Sequence, residues 1–444
     1  MAEGKVTQGH GRWEADHVRL NGDITKAKAG RGRKNSRSDI EDVVSKRIKL
    51  DLQSPAFENG VVLTVGMGDV GQLGLGPDIE EKTRPGLVPD LKNIVAVAAG
   101  GLHTVCLDKD GKVYTWGNND EGALGRLTSC EEDNFEWGQV QLEGKVVQIS
   151  AGDCHTVALT AEGKVFAWGC FRDNNGPLGF VEKCEMQKTP VQLLERIPVI
   201  KVACGNNFLA LLSYDGFVYT AGCGEVGQLG RLHEAFACRD ARNRKGIEAL
   251  LIPQPIKVFK NRKIVTFDDV WAGGLATFVR VKDTGEVYAF GLNNYNQLGD
   301  EDTNAKYQPV LLKDFREKIW IQISTGQHHS LAIDADGVAH AVGRHEYGRL
   351  GIEDLKHDLK KPTPITELAD KKCIGISAGE CVSLAVMDDG TAYGFGMGTN
   401  NQLSQGDEED QMIPVKLTGK QLQERNVVSV AAGGQHTVLL AIPK

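Results

Sequence analysis

With 444 residues and a formal net charge of −8, the chain is long enough for two or three ordinary domains or for one closed array of repeats. It has no run of 18 apolar residues and no apolar signal core near its start, so a soluble, intracellular protein without a membrane span is expected. Ten cysteines without one C-x-x-C pair, and no Gly-Lys-Ser/Thr string, argue against zinc ribbons, thioredoxin-like chemistry and a phosphate loop of its own.

The charge is unevenly spread. Residues 1–50 carry 12 Lys and Arg against 7 Asp and Glu, whereas residues 51–444 carry 39 against 52. A basic arm on an acidic body suggests a nucleic-acid or targeting role for the arm. Residues 1–57 have few large apolar side chains and no sustained period, so they cannot bury enough surface to offset ordering and read as a disordered tail. Within them Lys26, Lys28, Arg31, Arg33, Lys34 and Arg37 form one cationic cluster, and Lys46, Arg47 and Lys49 form a second. Two such clusters fit a bipartite nuclear import signal or a contact to DNA phosphates, and a solvated tail is the plain alternative.

From residue 58 to 444 the chain repeats itself. An apolar run, a glycine, four variable residues and Gly-Gln-Leu-Gly or a close variant recur seven times, ending at Gly74, Gly125, Gly179, Gly230, Gly299, Gly351 and Ser404. The intervals are 51, 54, 51, 69, 52 and 53 residues, a period that marks a repeat architecture. A second signature, Ala-Gly-x-x-His-Thr, interleaves at Ala99–Thr104, Ala151–Thr156 and Ala432–Thr437 and, in weaker form, around Gly205, Gly273, Gly326 and Gly379.

The stretch from Val146 to Trp168 shows the local pattern. Val146–Ser150, His155–Leu159 and Lys164–Trp168 alternate as short strands around a Glu162-Gly163 turn, and Gly138–Leu142 before them supplies a fourth. Four strands in seven copies predict an all-β, seven-bladed propeller of four-stranded blades. The chain opens on the first signature and closes on the second. Pairing Val61–Val65 with Thr437–Ala441 therefore completes one blade from both termini and closes the ring.

Two places break the period, and breaks in a repeat are where function is grafted. In the third copy the spacer becomes Cys170–Pro177, a projecting loop. In the 69-residue interval, residues 232–263 are inserted, with Arg239, Arg242, Arg244 and Lys245 as a cationic group suited to an acidic partner. His103, His155 and His436 sit at a repeat position, so symmetry alone accounts for them as groups that satisfy the neighbouring blade. Asp153 is not demanded by the repeat, and Asp69 shares its spacer position with Asp120, Glu225 and Glu346.

The runs Phe171–Gly176, Gly326-Gln327-His328-His329 and Gly433–Leu440 resemble the regulator of chromosome condensation family, and the resemblance covers about residues 60–442. It implies a nuclear, chromatin-associated guanine-nucleotide exchange factor for the small GTPase Ran, using no cofactor and making no covalent bond. Carried over by position, the wedge is Phe171 to Pro177, with Arg172, Asp173, Asn174 and Asn175 as its exchange residues, and Asp69, His103, Asp153, Asn207, His329 and His436 belong to the surface that meets the GTPase. The cationic loop of Arg239, Arg242, Arg244 and Lys245, expected on the opposite face, meets nucleosome histones and DNA, and the tail meets importins. One position departs from the pattern: Asn207 stands where the family has an acidic residue, followed by Phe208 where other repeats have His. A non-catalytic propeller scaffold binding chromatin or proteins is the alternative, since fold alone does not decide function.

Overall fold

The computed structural model describes residues 50–180, 186–239 and 246–444. Its described residues form seven four-stranded antiparallel sheets and two short hairpins. The strands nearest the axis are Ile94–Ala99, Val146–Ala151, Val199–Cys204, Phe267–Gly273, Trp320–Thr325, Cys373–Ala378 and Arg425–Ala432, and each touches the next around a closed circle. Apolar side chains alternate along them and pack blade against blade, so the core is a ring of seven clusters.

Blade one is made from both ends of the chain. Val61–Met67 pairs with His436–Pro443 in the predicted register, Val61 opposite Ala441 and Val65 opposite Thr437. Blades two to seven follow in sequence order from Ile94 to Lys416. The expected phase of the fourth strand needs correction. Gly138–Val140 pairs with Val113–Gly117 and ends blade two, while Gln187–Leu193, beyond the irregular third spacer, is the outer strand of blade three. Periodicity finds the strands but not where one blade hands over to the next, because the last strand of each copy precedes the first of the following one by only a short turn.

The recurring glycines serve the seams between blades. Gly74 has φ +66°, and a Cβ there would lie 2.6 Å from Nε1 of Trp116 in the next blade. That indole in turn donates to Gln72 O at 3.0 Å. The signature therefore encodes a close approach that any side chain would block.

Strand direction sorts the loops onto two faces. The Gly-x-x-His loops and the Gly-x4-Gly-Gln-Leu-Gly loops lie at one end of the blades; the tight turns, such as Glu162-Gly163, and the blade-to-blade connections lie at the other. The insertion divides between them. Residues 232–239 and the helix Ile247–Leu251 belong to the first face, and Gln254–Pro255 then carries the chain across blade four. Beyond it a hairpin of Phe259–Lys260 and Lys263–Ile264 stands exposed on the second face.

Residues 50–57 differ from the disordered tail expected of them. Leu50 and Leu52 are buried in the cluster shared by blades three and four, Leu52 N–H donates to Ala161 O at 3.0 Å, and Phe57 packs on the cluster of blades one and two. This segment straps the second face from blade three to blade one. The basic residues from Lys26 to Lys49 lie outside the described residues.

Candidate functional site

The site is built where the repeat breaks. Phe171–Asp173 and Gly176–Gly179 pair as a hairpin at the first face of blade three. Its turn is local chemistry: Asp173 Oδ1 accepts the Asn175 N–H at 2.8 Å, and Gly176 follows at φ +97°. Its base is aromatic. Phe171 is buried, stacks on Phe180 with ring centroids 4.6 Å apart, and meets His155 edge to face with centroids 4.7 Å apart. Arg172, Asn174, Asn175 and Pro177 remain exposed.

Neighbouring blades hold this hairpin from both sides. Arg172 pairs with Glu121 of blade two. On the other side Asn174 N–H lies 3.2 Å from a Glu225 carboxylate oxygen of blade four, and the Arg172 N–H donates to Asn207 Oδ1 at 2.9 Å. Asn207 Nδ2 donates to Asp153 Oδ2 at 3.0 Å. The amide at 207 thus faces an N–H with its oxygen and a carboxylate with its nitrogen, two jobs that no carboxylate does together. This resolves the departure noted in the sequence: the group at 207 bridges Asp153 to the hairpin.

Asp153 lies at the channel mouth, and burial, helped by the charge of Glu380 and opposed by the Asn207 amide, raises its carboxyl group to about 6. Asp69 is exposed in the Gly-x4-Gly-Gln-Leu-Gly spacer of blade one and accepts from Gln72 Nε2 at 3.1 Å. A pocket of about 280 Å³ at this mouth is lined by His103, Asp120, Glu121 and Asp153 among others, so the hairpin overlooks an acidic hollow.

The histidines do something else with their rings. His103 Nε2 lies 2.9 Å from Thr156 Oγ1, whose proton goes to Ala123 O at 2.9 Å. The hydroxyl must then accept from imidazole, so Nε2 carries a proton. His436 reaches Thr104 and His329 reaches Ser383 in the same way, at 2.9 and 2.8 Å, and those hydroxyls donate to Gln72 O and Arg349 O. Burial lowers His103 to about 4 and His329 and His436 to about 3. All three rings are buried seam groups, the role that the repeat position by itself implies for His103 and His436, and His103 also borders the mouth pocket. His155 lacks a hydroxyl partner because blade four carries Phe208-Leu209 in place of His-Thr, and its ring packs under the hairpin instead.

Arg239 departs from the outward-facing cation expected of it. Arg239 grips Asp173 with a two-pronged contact, Nε to Oδ2 at 2.7 Å and Nη2 to Oδ1 at 3.0 Å. It therefore lies on the hairpin face and is turned inward, not out toward an acidic partner. Arg242, Arg244 and Lys245 lie outside the described residues. Glu121, Glu380 and Phe180 join the site without having been singled out in the sequence, and Glu225, noted there only as a spacer acid, joins them. Glu225 and Glu121 sit in spacers that vary from copy to copy, so only their meeting in space marks them.

Comparison with known proteins agrees with the propeller fold. A family model described as RCC1-like domain matches residues 61–439. The chain is 52% identical over 384 residues to a regulator of chromosome condensation from Xenopus laevis, spanning 86% of this chain and 89% of that protein. It is 30% identical over 429 residues to the guanine nucleotide exchange factor SRM1 from Saccharomyces cerevisiae, spanning 84% and 85%. Among solved structures, Prp20p from Saccharomyces cerevisiae, described together with its binding to Gsp1p and histones, superposes with a TM-score of 0.79 at 29% identity over 93% of this chain and 95% of that one. Yeast RCC1 (Prp20) bound to Kap60 gives 0.78 at 28% identity, over 96% and 97%.

Proposed function

The chain belongs to the regulator of chromosome condensation family, and from that membership we propose that it is a chromatin-associated guanine-nucleotide exchange factor, promoting GDP release and GTP loading of the small GTPase Ran in the nucleus. The naming of one relative as an exchange factor and the Gsp1p and histone binding of a structural neighbour support the reading. The observation that carries it is the hairpin: a two-residue turn of exposed Asn174 and Asn175, preformed and fixed by Glu121 of blade two and by Asn207 and Glu225 of blade four, beside an acidic hollow.

An exchange factor must make its own binding and nucleotide binding mutually unfavourable. A nucleotide held at about picomolar affinity has about 16 kcal/mol of binding to be offset, and each 1.4 kcal/mol of negative coupling weakens it about tenfold. A hairpin that is already ordered spends none of that coupling on its own folding. In this reading Arg172, Asn174 and Asn175 displace the partner's phosphate-binding loop, Asp153, held by Asn207, meets the partner's basic groups, and Asp69 adds to the contact surface. The backbone loops at His103, His329 and His436 frame the same mouth.

Deleting Asp173–Gly176 is the test. Exchange is expected to fall far more than affinity for the nucleotide-free GTPase; equal losses in both would refute a wedge. For the chromatin side, the proposal keeps Arg242 and Arg244, with Lys245, as contacts to nucleosome acids and the tail clusters Lys26–Arg37 and Lys46–Lys49 as contacts to DNA or import receptors, the latter supported by the Kap60-bound neighbour.

A further inference from the structure

We infer that Arg239 is a positioning residue for the exchange hairpin: through a buried two-pronged contact to Asp173, the start of the insertion sets the angle at which Asn174 and Asn175 are presented. The inference rests on the exchange reading above for its functional consequence, and on geometry for the contact itself.

Asp173 does two things at once. Its Oδ1 caps the hairpin turn by accepting Asn175 N–H at 2.8 Å, and the same oxygen accepts Arg239 Nη2 at 3.0 Å while Oδ2 accepts Nε at 2.7 Å. The carboxylate is thus the joint between the turn and the insertion. The pair is withdrawn from water, with side chains 6% and 3% exposed for Arg239 and Asp173. Planar guanidinium matches carboxylate at both oxygens, so the contact fixes direction as well as distance.

The arginine is itself anchored. Residues Glu234–Phe236 form a single 3-10 turn, begun by His233 accepting the Ala235 N–H at 3.2 Å, and Ala237 is buried with its carbonyl against Gly224. The insertion therefore leaves blade four, folds onto its spacer and places Arg239 beneath the hairpin of blade three, 66 residues earlier in the chain. Glu225 and Glu234 lie close by, as their effect on the Cys238 thiol indicates. Without the guanidinium, Asp173 would be a desolvated carboxylate among other acids, and the turn it caps would be pushed away from blade four.

Three variants of the full-length protein test this: Arg239→Gln, Asp173→Asn, and the two together. Asparagine at 173 still offers Oδ1 to Asn175 N–H, so Asp173→Asn separates the turn from the clamp. Hydrogen–deuterium exchange of the peptide spanning residues 171–179 is expected to rise on the order of tenfold in Arg239→Gln, and less in the double variant, where two neutral amides replace an unpaired buried charge. GDP release from Ran is expected to slow roughly tenfold to a hundredfold in Arg239→Gln, as for a misplaced working group, while affinity for the nucleotide-free GTPase and nucleosomes stays near that of the parent. Unchanged protection of residues 171–179, or unchanged nucleotide release, overturns the inference. A parent protein that releases no nucleotide refutes the exchange reading instead, and hydrogen exchange then still decides the clamp.

Discussion

Replacing Asn207 by aspartate restores the acid that the family resemblance leads one to expect, yet the structure predicts a cost that grows with pH. The substitution keeps an acceptor for the Arg172 N–H, 2.9 Å away, but sets a second carboxylate against Asp153 at the 3.0 Å now spanned by the amide. Two unit charges at that separation repel by about 5 kcal/mol at an effective dielectric constant of about 20. The pair escapes by keeping one proton between its oxygens. Asp153 already sits at about 6, so binding that proton costs about 2.7 kcal/mol at pH 8, and well under 1 kcal/mol at pH 6, at 1.36 kcal/mol per unit.

The sign follows from linkage. A carboxyl group raised by folding penalises the native state above its folded value, and the penalty fades as pH falls through about 6 toward the ordinary carboxylate range. The variant moves that window upward. Denaturant unfolding of parent and Asn207→Asp at pH 6, 7 and 8 measures the difference, in which all groups common to both proteins cancel. A destabilisation that is the same at all three values, or absent at pH 8, would refute the bridging role assigned to Asn207.

The four buried histidines predict acid lability of the whole ring. Their imidazoles, lowered to about 4 for His103 and about 3 for His155, His329 and His436, are neutral in the fold and free to protonate when unfolded. Stability is therefore whole above about pH 6.5 and is lost as pH falls toward 4, by about 3 kcal/mol for His103 alone; this outweighs the relief at Asp153. A melting temperature that stays flat from pH 7 to 4.5 would contradict it. Removing residues 436–444 takes away the strand between Val61–Met67 and Arg425–Ala432, and the protein is expected to lose cooperative unfolding and to aggregate through the exposed edges; a truncated chain that melts as the parent does would show that ring closure is dispensable.

Much of the fold is legible because the repeat is written in types of residue that packing demands. Glycines at the seams, His-Thr pairs that bond across them and an order that begins with one signature and ends with the other together specify seven blades and a closed ring. The phase of the fourth strand was not legible, since Gly138–Val140 and Gln187–Leu193 carry weak patterns and edge strands are partly solvated. The strap at Leu50 and Leu52 was hidden by a basic neighbourhood, two leucines being too few to show a period.

The site was half legible. Its hairpin announces itself as a break in the repeat, and Asp153 as a charge the repeat does not need. The histidines were read both ways in the sequence, and the geometry gives their rings to the seams. What no linear pattern conveys is pairing across blades: Asn207 with Arg172, Glu225 with Asn174, and Arg239 with Asp173. Arg239 looked like a free surface cation because its counter-ion lies in another copy of the repeat.

As an exchange factor, the proposed role, this ring would accelerate nucleotide release from Ran without covalent chemistry. Release of a fluorescent guanine diphosphate from Ran, in excess unlabelled nucleotide and with catalytic amounts of the protein, tests it most directly. Rapid release with many turnovers per propeller is expected; release no faster than from Ran alone, by a protein shown to be folded, would rule out the exchange role and leave a chromatin-binding scaffold.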